Sequence, residues 1–271
     1  MTPQPDNSTK DAPTATVANL PSGTVAVTRH GTGPLLVALH RSIGGDSLDQ
    51  VVSALAAHYS VYAVSMPGFD DSERPDWARS PRDLAIVLGG LLADIPEERP
   101  VLVGFGLGGW VAAEMAVACP ERLRALVLVS PLGVQPEEGA ITDPFLVSTE
   151  QYVELCFVRP DAHHATFDQS FDLGTEAWVR RERNREMTTR IAWKPRMFDQ
   201  TLPFRLPYAR VPTMIVWGEE DRVLPRAAVT RFTHAMTAAE LVVVAGCGHM
   251  LECEIPHELA EAVSRFVDHY A

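Results

Sequence analysis

His249 and Asp221 are the residues whose type and order best suit them to move a proton. His249 closes the run Gly246-Cys247-Gly248-His249, which directly follows the apolar stretch Leu241 to Ala245. Asp221 stands in Trp217-Gly218-Glu219-Glu220-Asp221-Arg222-Val223-Leu224-Pro225, just past the β-type run Thr213 to Trp217. A carboxylate bonded to one imidazole nitrogen fixes the tautomer and leaves the other nitrogen as a base. Glu219 and Glu220 read as solvated loop charges. Upstream, Val101-Leu102-Val103-Gly104-Phe105-Gly106-Leu107-Gly108-Gly109 joins a short apolar run to a glycine cluster, and a helical pattern follows from Trp110 to Ala118. That is the strand–turn–helix layout of the G-x-S-x-G nucleophile elbow. The middle position, which should hold Ser, Cys or Asp, is Gly106. Without a side chain it cannot form a covalent intermediate.

Gly106 admits three readings. Glycine enters the positive-φ backbone of an elbow freely, where another residue is strained by about 1–3 kcal/mol. A chain no longer selected for catalysis would therefore relax to Gly and keep only a ligand-binding pocket. Alternatively, Gly makes room for a water or a substrate atom where a nucleophile's Oγ would be. The third reading is a serine hydrolase disarmed by an engineered Ser-to-Gly change. No other side chain takes over as nucleophile: neither Ser42 nor Cys247 has a base and a helix N-terminus arranged around it.

The order nucleophile position, acid, histidine resembles the α/β-hydrolase superfamily and differs from the two other common triad orders. The resemblance runs from about Thr24 to the C-terminus. Within the superfamily the chain looks most like capped bacterial meta-cleavage-product (C–C) hydrolases and related esterases. The resemblance implies a mostly parallel α/β sheet with helices on both faces, a helical cap, and an oxyanion hole. One donor of that hole is the main-chain N–H of Leu107, which survives any change at Gly106. The other comes from the loop after the strand Leu35 to Leu39, where relatives read His-Gly-x. Here the loop reads His40-Arg41-Ser42-Ile43-Gly44-Gly45. Ser42 matches the donor position, while Arg41 replaces the usual glycine. Arg41 either aims a cation at the site and binds an anionic substrate or is a surface residue. Phe105 and Trp193 are further candidates for substrate contact. Fold does not fix substrate, because one fold hosts many chemistries.

The elements that must position these groups are legible as alternating patterns. Strands are expected at Thr24–Thr28, Leu35–Leu39, Val61–Ser65, Val101–Phe105 and Arg124–Val129, with helices at Asp49–His58 and from Ser80 onward. Ser80 is a good N-cap and Pro81 suits the first helical position. Leu84, Val87, Leu88 and Leu91 form that helix's apolar face. This βαβ alternation implies a mostly parallel sheet. It stops at Pro131. Residues 131–206 are helical and irregular, with helices expected at Thr149–Phe157 and Thr175–Thr189, and read as the cap. The core, 18–130 and 207–271, resumes at Pro212 and ends in the helix His257–His269. Residues 1–17 are polar and read as a disordered leader.

The bulk numbers narrow the function classes. A chain of 271 residues that is 46% hydrophobic can bury one large core. A net charge of −12 argues against nucleic acid and against an anionic membrane surface. No stretch is apolar and long enough to span a bilayer. The four cysteines, at 119, 156, 247 and 253, lack metal-ligand spacing and read as reduced thiols of a cytoplasmic protein. No metal motif or phosphate loop is present, so no cofactor is expected. A homo-oligomer is compatible with all of this. The expected function is an enzyme on a small carbonyl-containing molecule. It would use a His249–Asp221 general base with an oxyanion hole, by water attack or by C–C lyase, elimination or cyclisation steps.

Overall fold

The computed structural model describes residues 13–95, 99–163 and 172–270. One eight-stranded sheet organises the core, in the order β1-β2-β4-β3-β5-β6-β7-β8. Its strands are β1 (Thr14–Leu20), β2 (Gly23–His30), β3 (Leu35–Leu39), β4 (Ser60–Val64), β5 (Val101–Phe105), β6 (Ala125–Val129), β7 (Thr213–Gly218) and β8 (Ala239–Val244). β1 pairs antiparallel with β2, and β2 antiparallel with β4. From β4 through β8 every pairing is parallel. The strands β3, β5 and β6 are buried at every residue, as strands covered on both faces must be.

The described α-helices are α1 (Asp49–Leu55), α2 (Pro81–Ala93), α3 (Leu107–Ala118), α4 (Thr149–Cys156), α5 (Glu176–Ala192), α6 (Leu202–Arg205), α7 (Arg226–Ala235), α8 (Leu251–Glu254) and α9 (Pro256–His269). Side chains alternate along a strand. Leu102 therefore points into the core under α2 and α3, while Val101, Val103 and Phe105 point to the opposite face, packed with Leu55, Leu259 and Val263. The N-terminus of α2 is built as expected: Ser80 Oγ accepts from the Asp83 N–H at 3.2 Å with Pro81 at the first helical position. Leu84, Val87, Leu88 and Leu91 are all buried.

Most expected boundaries shift by a residue or a few, and two of the shifts bear on the core. The helix α1 ends at Leu55 and not at His58, because Ala56 to His58 form the turn that starts β4 at Ser60. Residues 14–17 of the expected leader belong to β1, which pairs with β2 from Thr14↔Arg29 to Leu20↔Gly23. Residues 1–12 of that leader lie outside the described residues. An edge strand of this kind is mostly exposed and leaves little hydrophobic alternation to read.

After β3 the chain adds β4 on one side and then returns to add β5 on the other side of β3. This reversal opens a crevice beyond the carboxyl ends of the two adjacent strands, the usual ligand position in such sheets. Between β6 and β7 the chain leaves the sheet, and α4 and α5 lie in that excursion.

Candidate active site

Four strand ends deliver the chemistry. β3 leads into His40-Arg41-Ser42, β5 into Gly106, β7 into the loop carrying Asp221, and β8 into the loop carrying His249. Gly106 stands between β5 and α3 with φ 52° and ψ −110°. That is the strained turn expected of an elbow, and it is the region glycine enters freely. Its N–H donates to Val129 O at 3.0 Å, and its carbonyl accepts from Leu132 N–H at 3.0 Å, which fixes the turn. The tight approach of α3 to β3 requires Gly108 as well, since a Cβ there would lie 2.3 Å from Leu39 O.

His249 Nδ1 and Asp221 Oδ2 are 2.7 Å apart. His249 is only 1% exposed. Asp221 Oδ1 also accepts from the N–H groups of Val223 (2.8 Å) and Leu224 (2.7 Å). Burial pushes the Asp221 carboxyl up, but His249, by charge and hydrogen bond, and these two amides outweigh it. The net effect holds Asp221 below the usual carboxylate range. The histidine loop is anchored from α4, whose Cys156 carbonyl accepts from the N–H of His249 at 2.8 Å.

Arg41 is not a surface residue. It is 3% exposed and lies against the elbow. Its Nε donates to Glu252 Oε1, its Nη2 to Glu252 Oε2 (2.9 Å) and to the His249 carbonyl (2.5 Å). Burial disfavours the charged guanidinium, but Glu252 outweighs this and keeps Arg41 protonated above the ordinary arginine range. On its other edge, Nη1 lies 2.9 Å from where a Cβ on Gly106 would sit, and Cγ 3.3 Å from it. The two departures from the elbow and oxyanion-loop patterns thus belong together: a side chain on Gly106 would press on the Arg41 guanidinium.

The loop carrying Arg41 is held from both sides. His40 Nδ1 donates to the Arg41 carbonyl (2.6 Å), and His40 Nε2 accepts from Met66 N–H (3.0 Å). From α5, Asn184 Nδ2 donates to Ile43 O (3.1 Å) and Thr188 Oγ1 to Ser42 O (3.3 Å).

Arg41, Ser42, Gly106, Leu107 and His249 line one cavity together with Ile43, Leu132, Tyr152, Cys156 and Met250. Counted as the volume a water's centre can occupy, it is about 10 Å³, room for about one water. Ser42, Ile43 and Tyr152 also line a second cavity of about 40 Å³ on the same measure, walled by Phe145, Arg181, Arg185 and Thr188. Tyr152 and Cys156 have their acidities suppressed, first of all by burial, so both stand as neutral groups.

Sequence reasoning picked Gly106, Leu107, Ser42, Arg41, Asp221 and His249, and the structure brings these together. Two further candidates fall elsewhere. Phe105 is fully buried in the core on the α1/α9 face, because it shares strand parity with Val101 and Val103. Trp193, at the C-terminal cap of α5, is 46% exposed beside Lys194 and lines neither cavity. Glu252, Tyr152 and Cys156 were missed. Glu252 carried one signal: a carboxylate three residues past a histidine in an otherwise apolar run.

Among the described residues no cluster of His, Cys, Asp or Glu is arranged to hold a metal, and no helix is long and apolar enough to cross a membrane. All four cysteines are free thiols.

Comparison with known proteins places the fold. The chain is 29% identical over 240 residues to a 2-hydroxy-6-oxononadienedioate/2-hydroxy-6-oxononatrienedioate hydrolase of Paraburkholderia phymatum, covering 83% of this chain and 80% of that one. It is 26% identical over 260 residues to a pimeloyl-acyl-carrier-protein methyl ester esterase of Aeromonas salmonicida, covering 90% and 99%. Its fold matches that of the 2-hydroxy-6-oxo-6-phenylhexa-2,4-dienoate hydrolase from Rhodococcus sp. strain RHA1 with a TM-score of 0.73, at 19% identity over 95% of this chain and 100% of that one. Residues 30–265 match the alpha/beta hydrolase family, and the chain belongs to it.

Proposed function

We propose that this protein is an enzyme that acts on a small carbonyl compound without a covalent intermediate, with His249 as general base held by Asp221. The observation that carries this is the 2.7 Å contact between His249 Nδ1 and Asp221 Oδ2 beside a Gly106 that has no side chain. Burying the Asp221 carboxylate costs free energy unless it is hydrogen-bonded. The pair's retention at the mouth of a cavity shared with the elbow fits proton transfer. The N–H groups of Leu107 and Ser42 supply the oxyanion hole, and residues 131–206 act as the cap. Relatives are named as a 2-hydroxy-6-oxononadienedioate/2-hydroxy-6-oxononatrienedioate hydrolase and as a methyl ester esterase, and the candidate reactions here are water attack on an activated carbonyl and proton transfers of the lyase, elimination or cyclisation type.

The magnitudes suit a reactive substrate. A positioned general base contributes about 10²–10⁴-fold, and one oxyanion donor about 10²–10³-fold. A ligand-binding protein is the second reading, favoured by Gly106, which carries no side chain that could attack a substrate. Reversal of an engineered Ser-to-Gly change is disfavoured, because a Cβ at position 106 would press on Arg41 Nη1 at 2.9 Å.

Turnover of 2-hydroxy-6-oxo-dienoates and of activated aryl esters by the unmutated protein and by His249→Ala tests the proposal. Loss of turnover in His249→Ala, with no acyl adduct by intact-mass spectrometry under steady-state conditions, is expected. Unchanged turnover in the variant, or a trapped adduct, overturns it. Binding without turnover on any of these compounds selects the second reading.

A further inference from the structure

One edge of the buried guanidinium is fully engaged and the other is not. The side-on edge of Arg41, Nε and Nη2, is taken by Glu252 and by the His249 carbonyl. Nη1, on the opposite edge, is buried and has no hydrogen-bond partner among the described residues. It lies against Gly106, and Arg41, Gly106, Leu107 and His249 line one cavity. A buried polar group left without a partner is costly, and such groups in native proteins call for an explanation.

A second, independent feature converges on the same space. Leu107 is the first residue of the twelve-residue helix α3. The N–H groups of a first helical turn have no intrahelical acceptor and carry the positive end of the helix dipole. The next amide, Gly108 N–H, is used by His40 O at 3.1 Å. Two donors of positive character, one from a side chain and one from the main chain, thus face a space the size of one oxygen atom.

We infer that Arg41 Nη1 anchors one carboxylate oxygen of the substrate in the space beside Gly106, so that the position used for a nucleophile in an armed elbow serves here as an anion subsite. This deepens the reading of the site as catalytic by naming the substrate class, a small carboxylate. The carboxylate head would sit between Nη1 and the Leu107 N–H. The rest of the molecule would extend past Ser42 and Tyr152 into the second cavity, against Ile43 and Phe145. Glu252 and Asp221 are the acidic groups nearest this space. Glu252 is directed to the far edge of the guanidinium, and Asp221 is turned into its own bonds with His249, Val223 and Leu224. Neither carboxylate intervenes between Nη1 and Gly106. Charge-assisted hydrogen bonds to guanidinium are the strong ones.

The test is equilibrium binding of benzoate and acetate against the uncharged benzamide and acetamide, by titration calorimetry. The unmutated protein is expected to prefer each carboxylate by about tenfold or more, the ratio a single charge-assisted hydrogen bond supplies. Two variants act on Nη1 by different routes. Gly106→Ala brings a methyl group onto it and keeps both residues of the Arg41–Glu252 pair. Arg41→Met combined with Glu252→Leu removes the pair together, an exchange that buried ion pairs tolerate. In both the preference is expected to fall to about onefold. Absence of saturable carboxylate binding, or no preference over the amides, overturns the inference with the unmutated protein alone. A preference that persists in both variants also overturns it, and moves the anion to the Arg181 and Arg185 wall. The outcome is independent of His249→Ala turnover: a His249-dependent enzyme that ignores carboxylates refutes the subsite and leaves the general base standing.

Discussion

Placing a methyl group on Gly106 probes both the elbow and its coupling to Arg41. The backbone there has φ 52°, which costs a non-glycine residue about 1–3 kcal/mol. The new Cβ would also lie 2.9 Å from Arg41 Nη1 and 3.3 Å from its Cγ. The guanidinium cannot swing freely, because Glu252 and the His249 carbonyl hold its other edge. Disturbing one hydrogen bond to a charged group costs about 1.5–3 kcal/mol. Gly106→Ala should therefore destabilise the protein by about 3–6 kcal/mol, or on the order of 10 °C in Tm for a chain of this size. In the Arg41→Met/Glu252→Leu background the same change should cost only the backbone strain, about 1–3 kcal/mol. Urea unfolding followed by tryptophan fluorescence, run as a double-mutant cycle, reads the difference as a coupling of order 2 kcal/mol. Equal costs in the two backgrounds would refute the idea that Arg41 and Gly106 share one space. The same logic governs function. Gly106→Ser alone should leave aryl ester hydrolysis at background, whereas Gly106→Ser with Arg41→Gly and Glu252→Gln should raise it, since only then can Oγ reach His249.

Acid should weaken the fold through Asp221. Its folded pKa is depressed, so its contribution is complete above the unfolded value of about 3.9 and is lost as pH falls through the lower folded value. Urea midpoints from pH 7 down to pH 3 should fall more steeply in the unmutated protein than in Asp221→Asn, and parallel curves would count against the assignment. Alkali should act through Cys247, whose thiol is pushed up to about 11, first by burial and then by Glu254 and Glu258. A raised folded pKa means that its contribution is complete below the unfolded value of about 8.5 and is lost as pH rises towards 11. Cys247→Ala should flatten that alkaline decline. Of the four thiols only Cys119 is partly exposed, so iodoacetamide on the native protein should label it ahead of the other three, as peptide mass mapping would read; early labelling of Cys156 would contradict the buried position of α4.

The local patterns fixed a great deal of this protein in advance. The apolar runs Leu35–Leu39 and Val101–Phe105 became β3 and β5 at those boundaries, because five consecutive buried apolar residues suit a strand covered on both faces. The cap at Ser80 and the order of Gly106, Asp221 and His249 were equally legible, since capping and elbow chemistry reside in adjacent residues. The limits were set by contacts between residues far apart. β1 is mostly exposed and exists because β2 pairs with it. Phe105 reads as a site residue from its place beside Gly106, but both faces of β5 are apolar, so the pattern gives no sign of which face meets the crevice. Trp193 reads as a pocket wall from its size, yet at the end of α5 it is turned outward. Above all, Arg41 could face in or out on sequence grounds. Burying its cation is favourable only where an opposite charge meets it, and Glu252, 211 residues away, is carried to it on α8. The residue types were present in the chain from the start, but only the folded sheet, by bringing four strand ends together, decided which charge answers which.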